Sequence, residues 1–294
     1  MISRISVTSP QTLQEAYALL AVRPNGLKVL AGGTDVMVQF NARVGLEQVR
    51  HVLDIWKLPE LRGIRRVGEE LVIGALTTYS ELIASAEVME DCPALVEVSR
   101  EVGAWAIQNR GTLGGNLCNA SPAGDTLPLL IATGARLRVG GPSGERTLPI
   151  DEFFVSYRKT ALRPDELLLD ITLPRLEAAR NERLVYRKVG TRKAQSISKT
   201  LLALRANVDG DRLTSVRVGA GCLGPVPLRC RHAEQALMAA PLGPERRMPI
   251  RQALEQDIQP IDDVRSTADY RRLVTGNVLL RLVEQVLSSA KRAS

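Results

Sequence analysis

Aromatic side chains make up only 3% of the 294 residues, and there are two histidines and four cysteines in the whole chain. So few imidazoles leave little room for histidine-based catalysis, and neither His51 nor His232 has a nucleophile or carboxylate beside it in sequence. Cys92, Cys118, Cys222 and Cys230 form no Cys-x-x-Cys pair and no Cys/His cluster, which argues against a zinc site and against a cysteine-ligated cluster. No apolar run reaches the length of a membrane span, and Met1 to Thr8 lack the core of a secretory signal. The expectation is a cytoplasmic protein with free thiols. Also missing are Gly-x-Ser-x-Gly, His-Glu-x-x-His and a P-loop. Net charge is +7, which permits nucleic acid, an anionic ligand or an acidic partner, but the basic residues are scattered and no aromatics alternate with them, which argues against nucleic acid and for a solvated face or subunit contacts.

What is present is glycine in two telling places. Ile107 to Asp125 has almost no side-chain volume at Gly114-Gly115, yet carries Thr112, Asn116, Asn119, Ser121 and Asp125. A second stretch, Val29-Leu30-Ala31-Gly32-Gly33-Thr34-Asp35-Val36, reads as a short strand, a Gly-Gly turn and a helix opening at Thr34 or Asp35. Adjacent glycines let backbone N–H groups converge on anionic oxygens, so the two loops together suggest a grip on a pyrophosphate.

Around them the pattern is mixed. A helix capped by Ser9, the strand Leu27 to Leu30 and the strand Val52 to Ile55 suggest a small parallel sheet. Leu71 to Ala75 reads as a strand, Thr78 or Ser80 as a helix start, and Pro93 to Trp105 as one helix with Trp105 packed in the core. Asp125 occupies an N-cap position before Leu127 to Ile131, and Arg136 to Val139 is the strand that follows. Beyond a polar link, Leu184 to Val189, Leu201 to Val208 and Leu213 to Cys222 alternate as antiparallel strands, with a hairpin turn at Gly210-Asp211. Helical spacing returns over Ala233 to Ala239, Ile250 to Gln256 and Tyr270 to Leu287.

The motifs Ala31-Gly32-Gly33-Thr34-Asp35 and Thr112-Leu113-Gly114-Gly115-Asn116, with Ala120 to Asp125, resemble the FAD-binding medium subunit of the molybdenum hydroxylases, the xanthine dehydrogenase and carbon monoxide dehydrogenase family. The likeness extends over Phe153 to Thr160 and Leu167 to Pro174. It implies an α+β fold with two FAD-binding subdomains of the PCMH type, 1–55 and 56–175, and a C-terminal α+β domain, 176–294. It also implies an oxidoreductase flavoprotein that accepts electrons from two [2Fe–2S] clusters of a small subunit and passes them to NAD or another acceptor. Substrate chemistry belongs to a molybdenum cofactor in a large subunit, in a heterotrimer that pairs as a dimer. A non-catalytic scaffold of the same fold and a stand-alone FAD-dependent reductase are the alternatives.

The resemblance assigns FAD contacts to Val29, Leu30, Ala31, Gly32, Gly33, Thr34, Asp35 and Val36, and to Thr112, Leu113, Gly114, Gly115 and Asn116. Asp125 matches a nucleotide contact; a carboxylate suits ribose hydroxyls, and the N-cap role is compatible with that. Leu168 aligns with a leucine against the cofactor, although Leu167 or Leu169 replaces it if the strand slips by one residue. Lys188 matches a lysine near the isoalloxazine ring, where a cation stabilises the reduced flavin; Lys193 and Lys199 are rivals, and a surface role competes with all three. No residue is assigned a general acid or base role. No metal is expected on this chain, because Cys118 runs through Asn119 into Ser121-Pro122 without room for a cluster-bearing insertion.

Overall fold

The computed structural model describes residues 5–22, 25–42, 48–176, 181–239 and 243–291. Its first unit is a three-stranded parallel sheet with helices: β1 (Ser6–Thr8), α1 (Leu13–Val22), β2 (Leu27–Leu30), α2 (Val36–Ala42) and β3 (His51–Asp54), in the order β1-β3-β2. β1 has no apolar alternation, so periodicity did not reveal it. α1 starts three residues later than expected, because Thr12 and not Ser9 caps it: the Glu15 amide donates to Thr12 Oγ1 at 3.2 Å. Ser9 instead donates to Asp54 at the end of β3.

The second unit is a five-stranded antiparallel sheet. It contains β4 (Ile64–Val67), β5 (Glu70–Gly74), the helices α3 (Tyr79–Ala84), α4 (Ala86–Asp91), α5 (Pro93–Glu101), α6 (Trp105–Gln108), α7 (Leu113–Asn119) and α8 (Leu127–Thr133), then β6 (Arg136–Gly141), β7 (Gly144–Pro149), a small hairpin of β8 (Phe154–Ser156) and β9 (Lys159–Thr160), and β10 (Leu167–Pro174). The order is β4-β5-β10-β6-β7, so the most apolar strand is central. The stretch expected as one helix from Pro93 to Trp105 breaks at Gly103, whose φ of +54° a helix cannot continue. Trp105 therefore begins a separate turn and is 83% exposed, not packed in the core.

β10 carries a bulge between Leu168 and Asp170, and that bulge changes which face each side chain takes. Leu168 before it and Ile171 and Leu173 after it face the same core, with Leu95, Leu117 and Leu130. Leu167 and Leu169 face the opposite core, shared with Ala16, Leu20 and Leu53 from the parallel sheet. Two apolar layers thus meet on one strand, and the small parallel sheet is fixed to the large one.

The third unit is the antiparallel sheet of β11 (Glu182–Val189), β12 (Thr200–Asp209), β13 (Arg212–Gly221) and β14 (Leu228–Arg229), covered on one face by α9 (Arg231–Met238), α10 (Arg247–Asp257) and α11 (Ala268–Lys291). Its other face takes α8, which is buried along its whole length and so reads as apolar all round. A Cβ on Gly219 would lie 2.0 Å from the Pro128 carbonyl oxygen, so only glycine allows that approach. This packing brings β11 against the segment that leads into α8. Among the described residues, no helix is long and apolar enough to cross a membrane.

Candidate functional site

The two glycine stretches, some eighty residues apart in the chain, meet. A Cβ built on Gly32 would lie 1.6 Å from the Arg110 carbonyl oxygen, so backbone touches backbone where the two segments cross. Between them lies a cleft of about 260 Å³, lined by Val29, Ala31, Gly32, Gly33, Thr34, Asp35 and Val36 from the first, and by Thr112, Gly114, Gly115 and Asn116 from the second. Leu167 and Leu168 line it too. Ile55, Leu76, Val102 and Ile107 supply apolar wall.

The segments differ in what they offer. Helix α2 opens at Val36, a residue or two later than expected, and the turn before it is held by the Met37 amide donating to the Gly33 carbonyl. Among the described residues, no protein acceptor takes the amide hydrogens of Gly32, Gly33, Thr34 or Asp35. Four successive unpaired donors beside a cleft are groups that want an acceptor. The second segment is not a donor loop, contrary to expectation, but the start of α7. Its amides are already used: Leu113 donates to Thr77 O at 3.0 Å, Gly114 to Ala75 O at 2.9 Å, Asn116 to Thr112 O at 3.0 Å, and Gly115 to the capping hydroxyl of Thr112 at 3.0 Å. Its glycines serve close packing, since a Cβ on Gly114 would sit 2.6 Å from Ala75 O.

Four expected contacts do not reach the cleft. Leu113 is fully buried in the core, and Leu30 packs beside Val49 and Val52 under the parallel sheet. Asp125 and Lys188 find each other instead. Lys188, its side chain only 2% exposed, donates to Asp125 Oδ2 at 2.7 Å and to the Glu101 carbonyl at 3.3 Å. Ser198 donates to Asp125 Oδ1 at 2.9 Å. The N-cap reading of Asp125 fails: Thr126 precedes α8, with no side-chain cap, because the carboxylate is committed to β11. The surface reading of Lys188 fails with it.

The pair lies just behind the wall. Asn116 lines the cleft while its Oδ1 accepts from Thr126, the neighbour of Asp125; Val102 lines it while the adjacent Glu101 accepts from Lys188. Burial pushes the Asp125 carboxyl up from its ordinary value, even though Lys188 and Ser198 both favour the anion. Glu101 is pushed up by burial as well, and its Oε2 and the Tyr186 hydroxyl are buried without partners. Tyr79, buried between the segments, is raised by burial and then by the charges of Asp125 and Asp35.

Several lining residues were not found from sequence. Cys118 and Asn119 follow Gly115 by three and four positions, one helical turn, and a helical reading of Leu113–Asn119 places them on its cleft-facing side. Lys28, Gln39 and Glu166 gave no such signal. Glu166 is held by Arg146 at 2.8 Å and by the Arg163 amide, which keeps its carboxyl below the usual range.

Unpaired amides for an anion, side-chain-poor backbone and apolar walls are the donor set that a dinucleotide such as FAD requires. Residues 3–176 match the FAD-binding domain in molybdopterin dehydrogenase, and residues 185–286 match the CO dehydrogenase flavoprotein C-terminal domain. The chain belongs to this family of FAD-binding oxidoreductase chains. Within the family it is 31% identical to the xanthine dehydrogenase FAD-binding subunit of Escherichia coli O157:H7 over 280 residues, 95% of this chain and 94% of the other. It is equally, 31%, identical to the carbon monoxide dehydrogenase medium chain of Hydrogenophaga pseudoflava over 278 residues, 95% of each. The solved carbon monoxide dehydrogenase from the latter organism, which lacks the Mo-pyranopterin moiety of its molybdenum cofactor, superposes with a TM-score of 0.90 over 99% of both chains.

Proposed function

We propose that this chain is the electron-transfer flavoprotein subunit of a cytoplasmic, three-part molybdenum hydroxylase. The observation that carries the reading is the row of unpaired amides from Gly32 to Asp35 in the lining of a cleft whose other wall is the Gly114-Gly115 start of α7. FAD held here would supply the redox chemistry that links the [2Fe–2S] centres of a small partner to NAD or another acceptor. A large partner holds the molybdenum cofactor, and two such heterotrimers pair.

In this reading the chain binds and orients, and moves no proton in the reaction on substrate. The amides of Gly32 to Asp35 would hold the pyrophosphate; Val29, Ala31 to Val36, Thr112, Gly114 to Asn116 and Leu168 would form the surfaces against which the dinucleotide lies, with Leu30 and Leu113 packed behind them. Asp125 and Lys188 act as a fixed charge pair behind the wall, with the cation favouring negative charge on the reduced flavin. The division 1–55, 56–175 and 176–294 is supported by the three-, five- and four-stranded sheets falling one in each part, with Lys188 and Ser198 joining the third part to Asp125 behind the cleft wall.

The test is an absorption spectrum of the purified chain. FAD bound one per chain gives a yellow protein, whereas a colourless chain that takes up no FAD on titration sinks the reading in favour of a scaffold. Lys188→Met should then lower the flavin reduction potential without releasing it. An unchanged potential takes Lys188 out of its role.

A further inference from the structure

Arg110 lies two residues ahead of Thr112, the cap of α7. Arg110 is exposed and, among the described residues, faces no carboxylate. Its guanidinium lies 3.8 Å from the centre of the Trp56 ring, and its Nε donates to the Gly32 carbonyl at 3.3 Å. Arg62 stacks on the same indole at 4.4 Å, donates to the Trp56 carbonyl at 2.8 Å and has Glu81 at 3.8 Å as its counter-charge. Trp56 itself is fixed to the end of β3, its amide donating to Asp54 Oδ1 at 3.0 Å.

Three distant parts of the chain therefore meet at one side chain. The Arg110 backbone presses on Gly32, and its side chain turns back to the carbonyl of that same glycine and to the indole that follows the parallel sheet. The two like-charged guanidiniums are tolerable because each meets the negative face of the ring, and because Arg62 carries Glu81 while Arg110 does not. The Gly32 carbonyl is thereby anchored, and because its peptide is trans the unpaired Gly33 N–H points the opposite way from that carbonyl.

We infer that Arg110 is a positioning residue that latches the two glycine segments in register, acting through Trp56 and the Gly32 carbonyl. Its use rests on the flavin reading; its geometry does not. An arginine fits the task better than lysine, since a planar group can lie flat on an indole while its edge donates to a carbonyl.

The test uses the full chain with Arg110→Met, which keeps the unbranched stem and removes the guanidinium, and with Trp56→Phe and Trp56→Ala. In flavin-free protein, hydrogen exchange at the paired amides of Met37 and Ile55, which flank the turn, should quicken about three- to tenfold in Arg110→Met while the β12–β13 amides stay as they were. With FAD added, affinity should fall about tenfold in Arg110→Met and in Trp56→Ala, with no further loss in the double variant, and Trp56→Phe should retain most of it. Unchanged exchange at Met37 and Ile55 overturns the latch, as do additive losses from the two single changes. Quickened exchange in a chain whose wild type takes up no FAD leaves the latch standing and removes the flavin reading.

Discussion

Gly32 and Gly33 are neighbours in one turn, yet substituting each with alanine should have different consequences. A Cβ at Gly32 lies 1.6 Å from Arg110 O and 2.5 Å from Arg110 C, and real Cβ contacts do not fall below 3.0 Å. The segments must therefore part by about 1.4 Å, and both contacting groups are backbone, so no rotamer relieves the strain. Overpacking of this kind costs about 1–3 kcal/mol, which is roughly 5- to 150-fold in affinity if it all falls on the cleft. A Cβ at Gly33 meets only the Met37 and Leu30 side chains, at 3.4 and 3.5 Å, so it has room. Its φ of +82° is the sole obstacle, worth about 1 kcal/mol and about fivefold. The assay is FAD titration of each purified variant by quenching of flavin fluorescence, with thermal melting run alongside. Gly32→Ala should be the poorer binder by a clear margin. Equal affinities, or a Gly32→Ala chain that binds as wild type, would show that the contact between the segments is not what shapes the cradle.

Other outcomes follow from the same geometry. Breaking the buried pair by Lys188→Met should cost about 3 kcal/mol of stability near neutral pH, read from denaturant midpoints. Asp125, already raised by burial, then rises further, so the loss should shrink as pH falls and the carboxyl takes its proton; a loss independent of pH defeats the argument. Glu166 has a lowered folded-state value, so its stabilisation is present above the ordinary carboxylate value of 4.5 and is lost as pH falls through the folded value. The stability gap between wild type and Glu166→Gln should therefore be open at pH 6 and close in acid. Trp105→Ala should change stability by less than about 0.5 kcal/mol, because that ring is in solvent; a large drop in melting temperature contradicts it.

The fold was legible where periodicity decided it. The antiparallel strands Glu182–Val189, Thr200–Asp209 and Arg212–Gly221, the turn at Gly210 and the three C-terminal helices follow from alternation and helical spacing. It was illegible where one residue overrode a pattern. Gly103 cut an apparently continuous apolar helix, and the bulge in β10 reversed which leucines share a face, a matter that strict alternation answers wrongly. At the site, the cleft residues of both glycine stretches were found by composition, but the chemistry of the second was misread. Thr112-Leu113-Gly114-Gly115-Asn116 has the residues of a loop and forms a helix, because Thr112 caps it and Ala75 and Thr77 take its first amides. Propensity gave no warning, since glycine in a helix is disfavoured by about 1 kcal/mol each and only the tertiary partners offset that.

That asymmetry changes how an anion is held. Two loops of donors would close on a pyrophosphate from both sides; here one side carries the free amides and the other is a wall whose polar groups are satisfied. The wall still serves the ligand, because Gly114 lets α7 lie so close to Ala75 that a Cβ there would be 2.6 Å from the Ala75 carbonyl oxygen, and Gly115 adds no side chain to its surface. Affinity then depends on how well the donor turn is aimed, and less on how many donors there are. The turn's aim is set from outside it, by the Met37 amide on Gly33 O within α2 and by Arg110 on Gly32 O across the chain. Substitutions that leave every cleft-lining atom in place but disturb those two carbonyls should accordingly weaken binding as much as removal of a lining side chain does.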